Sequence, residues 1–277
     1  MKISRTLSVA LLTAAPMATF AQDTTSPIME KLAASRNVEV TDAQLEELKT
    51  LQLEAIWGAL GEYRANFVVG LKTTQPGERV VGRALTMRFL PPRPDLTEAL
   101  DAIAEEKDWD RQFYGRASDL AKPGDVIVVE LGGMSGDHMF GDMGVLGMKL
   151  AGLRGAIVDG GSRDRAELVD PSFADFPVFA RYFNIAGSRW KGTDWNIPVR
   201  IDQATVLPGD IVVADETGVV FIPPQLVASV LEQARAKASM EAFQREMLKT
   251  KKHRFSDVYP VLSPKLMEEY RRRNPGK

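Results

Sequence analysis

The chain has no cysteine among its 277 residues, which excludes disulfides, thiol nucleophiles, thiolate zinc sites and iron–sulfur clusters together. Histidine is nearly as scarce. Its two copies, His138 and His253, cannot form a multi-histidine metal centre unless carboxylates join them. Beyond residue 21 no stretch approaches the roughly 18 to 20 apolar residues of a membrane span. An excess of positive charge is also missing, since 35 Lys and Arg face 37 Asp and Glu, and nucleic acid is a poor partner for that balance.

The first 21 residues are different in kind. Lys2 and Arg5 precede an apolar run from Leu7 to Ala18, and Thr19-Phe20-Ala21 follows before Gln22-Asp23. That order is a secretory signal peptide cut after Ala21, and it predicts a periplasmic or secreted product. Removing Lys2 and Arg5 leaves 33 basic against 37 acidic side chains, a formal net charge of −4, on 256 residues. Such a length suits one large or two small domains. The processed protein is expected to be soluble, with no membrane partner.

The run Asp142-x20-Arg163-Asp164-x2-Glu167 carries the chemistry. Gly141-Asp142-Met143-Gly144 opens an apolar-periodic stretch holding Val145, Leu146, Met148, Leu150 and Leu153, which reads as a helix closed by Arg154-Gly155. Ala156-Ile-Val-Asp159 reads as a short buried strand, and Gly160-Gly161-Ser162 as a tight turn delivering Arg163 and Asp164. A loop-helix-strand-loop unit returns its ends to one sheet edge, so Asp142 and Asp164 are expected to lie close together. Carboxylates beside a guanidinium suit a hard divalent cation, Mg2+ or Mn2+, that holds an anionic substrate. The same spacing also fits a plain loop salt bridge between Arg163 and Asp164, with Asp142 as an N-cap. His138, in Ser135-Gly-Asp-His138, reads as a solvated loop histidine, and His253 belongs to a solvated basic helix end, Lys251-Lys-His-Arg254.

Elsewhere, Thr41-Asp-Ala-Gln44 resembles a capping box and predicts a helix over 42–60 with Leu45, Leu48, Leu51 and Ile56 on its apolar side. Residues 81–89 read as a strand, and 100–119 as a helix with Ala102, Ile103 and Phe113 buried. Pro123-Gly-Asp-Val-Ile-Val-Val129 and Pro208-Gly-Asp-Ile-Val-Val213 echo each other as turns leading into buried strands. Two strands flank Thr217-Gly218, Pro223-Pro224 ends the sheet, and a helix over 226–252 carries Val227, Val230, Leu231, Ala234 and Ala238 at helical spacing.

Several of these words occur in a fixed order: Lys122-Pro-Gly-Asp-Val-Ile-Val-Val129, Phe140-Gly-Asp142, Leu153-Arg-Gly-Ala-Ile-Val-Asp-Gly160, Ser162-Arg-Asp164, Phe176-Pro-Val-Phe-Ala-Arg181 and Pro208-Gly-Asp-Ile-Val-Val-Ala-Asp-Glu-Thr-Gly-Val-Val-Phe-Ile-Pro223. In that order, over roughly residues 50 to 250, they resemble the family joining the regulator of ribonuclease activity A to the class II 4-hydroxy-4-methyl-2-oxoglutarate / 4-carboxy-4-hydroxy-2-oxoadipate aldolases. The resemblance implies an α/β domain of the layered β/β/α swivelling type over 41–225. A linker over 22–40 would precede it, and a long C-terminal helix with a tail over 226–277 would follow. It implies a metal-dependent lyase releasing pyruvate from a 4-hydroxy-2-oxo acid, with oxaloacetate decarboxylation as a side activity, in a homotrimer or homohexamer. Asp164 would bind the Mg2+ or Mn2+ directly, and Asp142 would hold it through water. Arg163 would contact the substrate's keto or enolate oxygen, and the amides of Met143 and Gly144 would receive its carboxylate. Glu241 would serve a neighbouring subunit's metal through water. The family also contains a non-catalytic inhibitor, so a binding or regulatory protein is the competing expectation. This chain departs from the family pattern at Ile56-Trp-Gly-Ala-Leu60, where a Ser-Asp-Ala-Leu word forms the pocket floor, and in a long segment with Pro91-Pro-Arg-Pro94, Trp109 and Tyr114. Arg181, Arg189 and Trp190 are candidates for reading the distal part of the substrate.

Overall fold

Near-continuous burial along the central strands, whose alternate side chains enter cores on opposite faces, sets the architecture of this protein, whose computed structural model describes residues 27–106 and 119–275. The expected leader, together with Trp109, Phe113 and Tyr114, lies outside the described residues. The strands in chain order are β1 Phe67–Val68, β2 Lys72–Thr73, β3 Val80–Leu90, β4 Asp125–Glu130, β5 Gly155–Ser162 and β6 Val178–Phe183; then β7 Lys191–Trp195, β8 Val199–Ile201, β9 Ala204–Val206, β10 Ile211–Asp215 and β11 Gly218–Ile222. A nine-stranded mixed sheet runs β1-β11-β10-β3-β4-β5-β6-β2, with β7 also paired to β3, while β8 and β9 form a separate hairpin. Strands β3 to β6 are mutually parallel, and β10 and β11 are antiparallel. β3 is long because one side of it serves two partners: residues 80–83 pair with β10 and 87–90 with β7.

The helices are α1 Pro27–Arg36, α2 Asp42–Thr50, α3 Leu53–Gly58, α4 Pro94–Glu106, α5 Asp142–Leu150, α6 Arg165–Leu168, α7 Val227–Lys249, α8 Phe255–Val258 and α9 Pro264–Arg273. In β3 the odd residues Val81, Leu85, Met87 and Phe89 face the helical layer, and Val80 and Ala84 face the other side. Over the helical face, α2, α3 and α7 cover one end with Leu45, Leu48, Ile56, Val230 and Leu231, and α5 covers the other with Val145 and Met148. The opposite face receives the β8–β9 hairpin through Val199, Ile201 and Val206. Sheet, hairpin and one-sided helices make the layered α/β arrangement expected from the sequence, with its long C-terminal helix.

Thr41 forms the anticipated capping box, its hydroxyl accepting from the Gln44 N–H while the Gln44 side chain accepts from the Thr41 N–H. The single helix expected over 42–60 is nevertheless two. Leu51 turns extended, with ψ at 149°, and the Arg79 guanidinium, held by Asp215 at 2.5 Å, accepts the role of capping the freed Leu51 carbonyl. The helix beginning at Asp142 stops at Leu150 rather than Arg154, and Leu146 and Leu150 are exposed, so Val145 and Met148 are its core positions, with Leu153 buried just beyond its end. Gly160-Gly161-Ser162 is not a turn. These residues continue β5, fully buried, because a Cβ at Gly160 would lie 2.6 Å from Leu131 and one at Gly161 2.5 Å from Tyr182. Glycine here serves close packing. In α4, Ala102 is exposed and Ile103 half-buried, so neither is the core residue anticipated.

The two Pro-Gly-Asp words fold alike. Gly124 and Gly209 take φ of 93° and 79°, and Asp125 and Asp210 each accept a backbone N–H from three residues earlier, Lys122 and Leu207, at 2.8 Å. The strands they launch, β4 and β10, flank β3. Beyond the sheet, Phe243 and Met247 of α7 meet Val258, Leu262, Leu266 and Tyr270 in a small core of their own.

Candidate active site

Parallel strands β4 and β5 both end at the sheet edge where α/β proteins bind ligands. After β4, residues 131–141 run along that edge and pair with β5 through a His138–Gly161 bridge, with the Met139 N–H on the Gly161 carbonyl at 2.9 Å. The Ser162 hydroxyl then donates to the Phe140 carbonyl at 3.0 Å. These bonds set Gly141-Asp142 against Arg163-Asp164, as the sequence spacing anticipates.

Asp164 adopts a left-handed backbone, φ 52° and ψ 40°, a region that costs most L-residues energy and that aspartate tolerates better than most. Its Oδ2 lies 3.2 Å from Arg163 Nε and receives a long hydrogen bond, 3.4 Å, from the Asp142 N–H. Gly141 makes this approach possible. A Cβ there would sit 1.7 Å from Asp164 Oδ2 and 2.9 Å from Arg163 Nε. The salt bridge anticipated as the plainer alternative is therefore real, but Asp142 is the first residue of α5, and Gly141 is the N-cap.

What is left unused defines the site. Among the described residues, Asp164 Oδ1 and both carboxylate oxygens of Asp142 have no hydrogen-bond partner. Gly141 brings no capping side chain, and Met143 and Gly144 lie in the first turn, where N–H groups have no partner within the helix. Free amides, a guanidinium that is about half exposed and two carboxylates thus share one edge. Amides and guanidinium suit an oxo-acid anion. Oxygen donors alone suit a hard cation that keeps most of its waters. Among the described residues of one chain, no group of three or more His, Asp or Glu could hold a metal ion. Glu167 lies exposed on α6; its backbone N–H donates to the Asp164 carbonyl and its own carbonyl accepts the Asp170 N–H.

His138 corrects the sequence reading. It is 2 % exposed, not a solvated loop residue, and its Nδ1 has no partner among the described residues. Burial holds its pKa below the ordinary value, with Asp137 and Asp164 pulling upward and Arg163 pushing downward, so the ring is neutral at neutral pH. Asp137, which the sequence reading passed over, is 1 % exposed and accepts the N–H groups of His138, Arg189 and Trp190. Its carboxylate ties the 131–141 loop to the segment before β7. The only sequence signal for it is the turn-like Ser135-Gly136 before it.

Other candidates fall elsewhere. Arg181 is locked to Asp159 at 2.7 Å and Asp202 at 3.4 Å, so it braces the sheet instead of reading a substrate. Trp190 stacks over Gly132, whose Cβ would meet its ring at 2.4 Å, and Arg189 remains exposed. Ile56 and Leu60 are buried in the core beneath α7 and form no pocket floor. Glu241 binds Arg245 at 2.8 Å and lies 3.9 Å from Lys237, both on its own helix. Within one chain it makes no contact with the Asp142 and Asp164 loops among the described interactions.

The family description "RraA-like: Aldolase/RraA" matches residues 37–221 of this chain. A protein of Halalkalibacterium halodurans, provisionally named 4-hydroxy-4-methyl-2-oxoglutarate aldolase, is 40% identical over 205 residues, covering 73% of this chain and 87% of its own length. Among solved structures, Streptomyces coelicolor RraAS2, described as an unusual member of the RNase ES inhibitor RraA protein family, aligns with a TM-score of 0.62 at 27% identity. The alignment covers 76% of this chain and all of that one. An uncharacterized protein from Pseudomonas syringae pv. tomato aligns with a TM-score of 0.66 at 24% identity, over 79% of this chain and 93% of that one, which is a likeness of fold.

Proposed function

The chain belongs to the RraA-like family, and from that premise we propose that it is a lyase cleaving a 4-hydroxy-2-oxo acid to pyruvate and a second carbonyl compound, with Mg2+ or Mn2+ as cofactor. The observation that carries this reading is the Gly141 cradle, which presses Asp164 against Arg163 and the start of α5 while leaving Asp164 Oδ1 and the Asp142 carboxylate unspent. The provisional name of the 40% identical relative supports the same chemistry. Asp164 would hold the cation directly and Asp142 through water. A bound divalent cation supplies Lewis-acid polarisation of the 2-oxo group.

The chain's own groups account for the remaining work. The N–H groups of Met143 and Gly144 bind the substrate carboxylate, where the helix dipole favours negative charge. Water oriented by Asp142 takes the proton from the C4 hydroxyl. The C3–C4 bond then breaks, C4 becomes a carbonyl carbon, and the electron pair passes to C3 as pyruvate enolate. Arg163 stabilises the oxygen on which that charge develops, and protonation at C3 gives pyruvate. Loss of carbon dioxide from oxaloacetate passes through the same enolate, which makes it the expected side reaction.

Two features support completion of the site by a second subunit, in a homotrimer or homohexamer. Among the described residues the single chain has no three-ligand cluster, and Met143, Leu146 and Leu150 form an exposed apolar stripe on α5 beside the site. Glu241 is our candidate for the incoming carboxylate. Mixing inactive Asp164→Asn with inactive Glu241→Gln protein under subunit exchange should restore part of the activity; mixed oligomers that stay dead would sink the shared site.

A binding protein without catalysis is the second reading, favoured by the likeness to RraAS2. Pyruvate release from 4-hydroxy-4-methyl-2-oxoglutarate and from oxaloacetate, coupled to lactate dehydrogenase, separates the two. The lyase reading expects release that needs added Mg2+ or Mn2+ and stops with chelator. No release with either substrate and either metal favours the binding protein, and full release in excess chelator removes the metal from the mechanism.

A further inference from the structure

A formal net charge of −2 conceals two regions of opposite sign. Residues 249–273 carry eight Lys and Arg against three Asp and Glu, a net of +5, so the rest of the chain stands at −7. This basic unit lies beyond the family match, which ends at residue 221. At its start, Lys249, Lys251 and Lys252 are exposed at the end of α7 and have no ion-pair partner among the described residues. Immediately after them, Phe255, Tyr259 and Val261 are 64 %, 48 % and 69 % exposed; the Phe255 and Tyr259 rings lie 5.7 Å apart and make an apolar patch, with Val261 two residues further along the same loop.

That patch is built, not frayed. Val258 and Leu262, interleaved with the exposed residues, are buried against Phe243, Met247, Leu266 and Tyr270. Gln244, 5 % exposed, donates its amide to the carbonyls of Val258 at 2.8 Å and Pro260 at 3.2 Å, and so fixes the loop from beneath. A buried side-chain amide is spent on presenting aromatic and aliphatic groups outward, beside three unneutralised lysines.

We propose that this C-terminal unit docks the protein on an anionic phospholipid surface, with Phe255, Tyr259 and Val261 entering the headgroup boundary and Lys249, Lys251 and Lys252 binding the headgroups. Apolar groups ringed by cations match that interface in both hydrophobicity and charge. Nucleic acid fits less well, because Val261 has no stacking role on a base and an aliphatic group beside the rings is matched by the apolar boundary of a bilayer. The docking is independent of the lyase reading and departs from the expectation of no membrane partner, which rested on the lack of an apolar span. No helix among the described residues is long and apolar enough to cross a membrane, so the contact is peripheral.

The test is cosedimentation of the protein, in the form that cells accumulate, with phosphatidylglycerol-rich vesicles and with pure phosphatidylcholine vesicles. Binding to the anionic vesicles alone, weakened by high salt, is expected. Each lysine contributes about fivefold to partitioning onto an anionic surface, so the triple variant Lys249→Gln, Lys251→Gln, Lys252→Gln should bind on the order of a hundredfold more weakly. Phe255→Ser with Val261→Ser, both at exposed positions, should weaken binding with unchanged far-ultraviolet circular dichroism. Absent binding, equal binding to neutral vesicles, or binding that survives either variant set overturns the proposal. Duplex DNA binding that needs the lysines but not Phe255 and Val261, without vesicle binding, would instead assign the patch to nucleic acid. Self-association lost in the Phe255→Ser, Val261→Ser protein, again without vesicle binding, would assign it to a second copy of the chain.

Discussion

Four Gly-Asp pairs occur in this chain, and the structure spends three of them on holding turns and leaves the fourth free. Asp125 and Asp210 accept backbone N–H groups within their own turns, and Asp137 collects those of His138, Arg189 and Trp190. All three are buried. Asp142 gives its backbone N–H to Asp164 and keeps both carboxylate oxygens unpartnered among the described residues. The difference lies in strand direction and neighbours, not in the dipeptide. Asp125 opens β4 at its amino end, whereas Asp142 follows the carboxyl end of the same strand, across from a left-handed Asp164. A carboxylate whose lone pairs are consumed by the backbone is architecture; one held rigidly with lone pairs to spare can bind.

The comparison is broken most severely by removing a spare carboxylate. Asp164→Asn keeps the shape of the side chain and weakens a hard-cation ligand, so pyruvate release should disappear while the melting temperature stays close to wild type. Activity retained at the wild-type level would return Asp164 to the structural group. Arg163→Lys preserves charge and loses the planar fork, and kcat should fall by about ten- to a thousandfold, the scale of losing one oxyanion donor. A kcat that does not move would leave Arg163 as only the salt-bridge partner of Asp164.

Gly141→Ala sharpens the same contrast without touching a charged group. The new methyl would occupy the position of Asp164 Oδ2, 1.7 Å away, so the partly exposed carboxylate must swing aside. Misplacement by about 1 Å can cost on the order of a hundredfold in rate, and the loss should appear in kcat with circular dichroism unchanged. Wild-type kcat in this variant would show that the close approach at Gly141 is unimportant.

Much of this geometry is legible in the sequence. The 20-residue spacing between Asp142 and Arg163 encloses one helix and one strand, and such a unit returns to its starting edge whatever the details. The capping box at Thr41 and the hairpin around Thr217-Gly218 were legible because their signals are local. Features set by distant partners were not. The break after Thr50 depends on Arg79, far along the chain, taking up the Leu51 carbonyl, and the Gly160-Gly161 pair reads as a turn until Leu131 and Tyr182 are seen packed against it. His138 reads as solvated in the sequence for the same reason. Its burial comes from pairing beside β5, which no neighbouring residue announces. Amphipathic spacing also overstates the core in α4 and α5, where Ala102, Leu146 and Leu150 are exposed among the described residues.

The smallest expected effect comes from a spent carboxylate. Burial pushes the Asp125 pKa above its ordinary value of 3.8, outweighing the Lys122 N–H and the charges of Arg83 and Lys122. The folded state therefore holds this proton more tightly than the unfolded chain does. Its stabilising contribution is fully present below pH 3.8 and is lost as pH rises through the elevated folded value. Asp125→Asn keeps an oxygen to accept the Lys122 N–H and cannot ionise, so it removes this pH-dependent loss. Melting temperatures of variant and wild type, compared from acid to neutral pH, should diverge in favour of the variant by on the order of a few °C, the other titrating groups cancelling in the difference. Pyruvate release should stay at the wild-type rate, because Asp125 lies at the opposite end of β4 from Asp142. A constant melting difference across that range would show that the carboxyl is not perturbed. A large fall in rate would show instead that the two ends of β4 are less separate than four identical dipeptides with different fates imply.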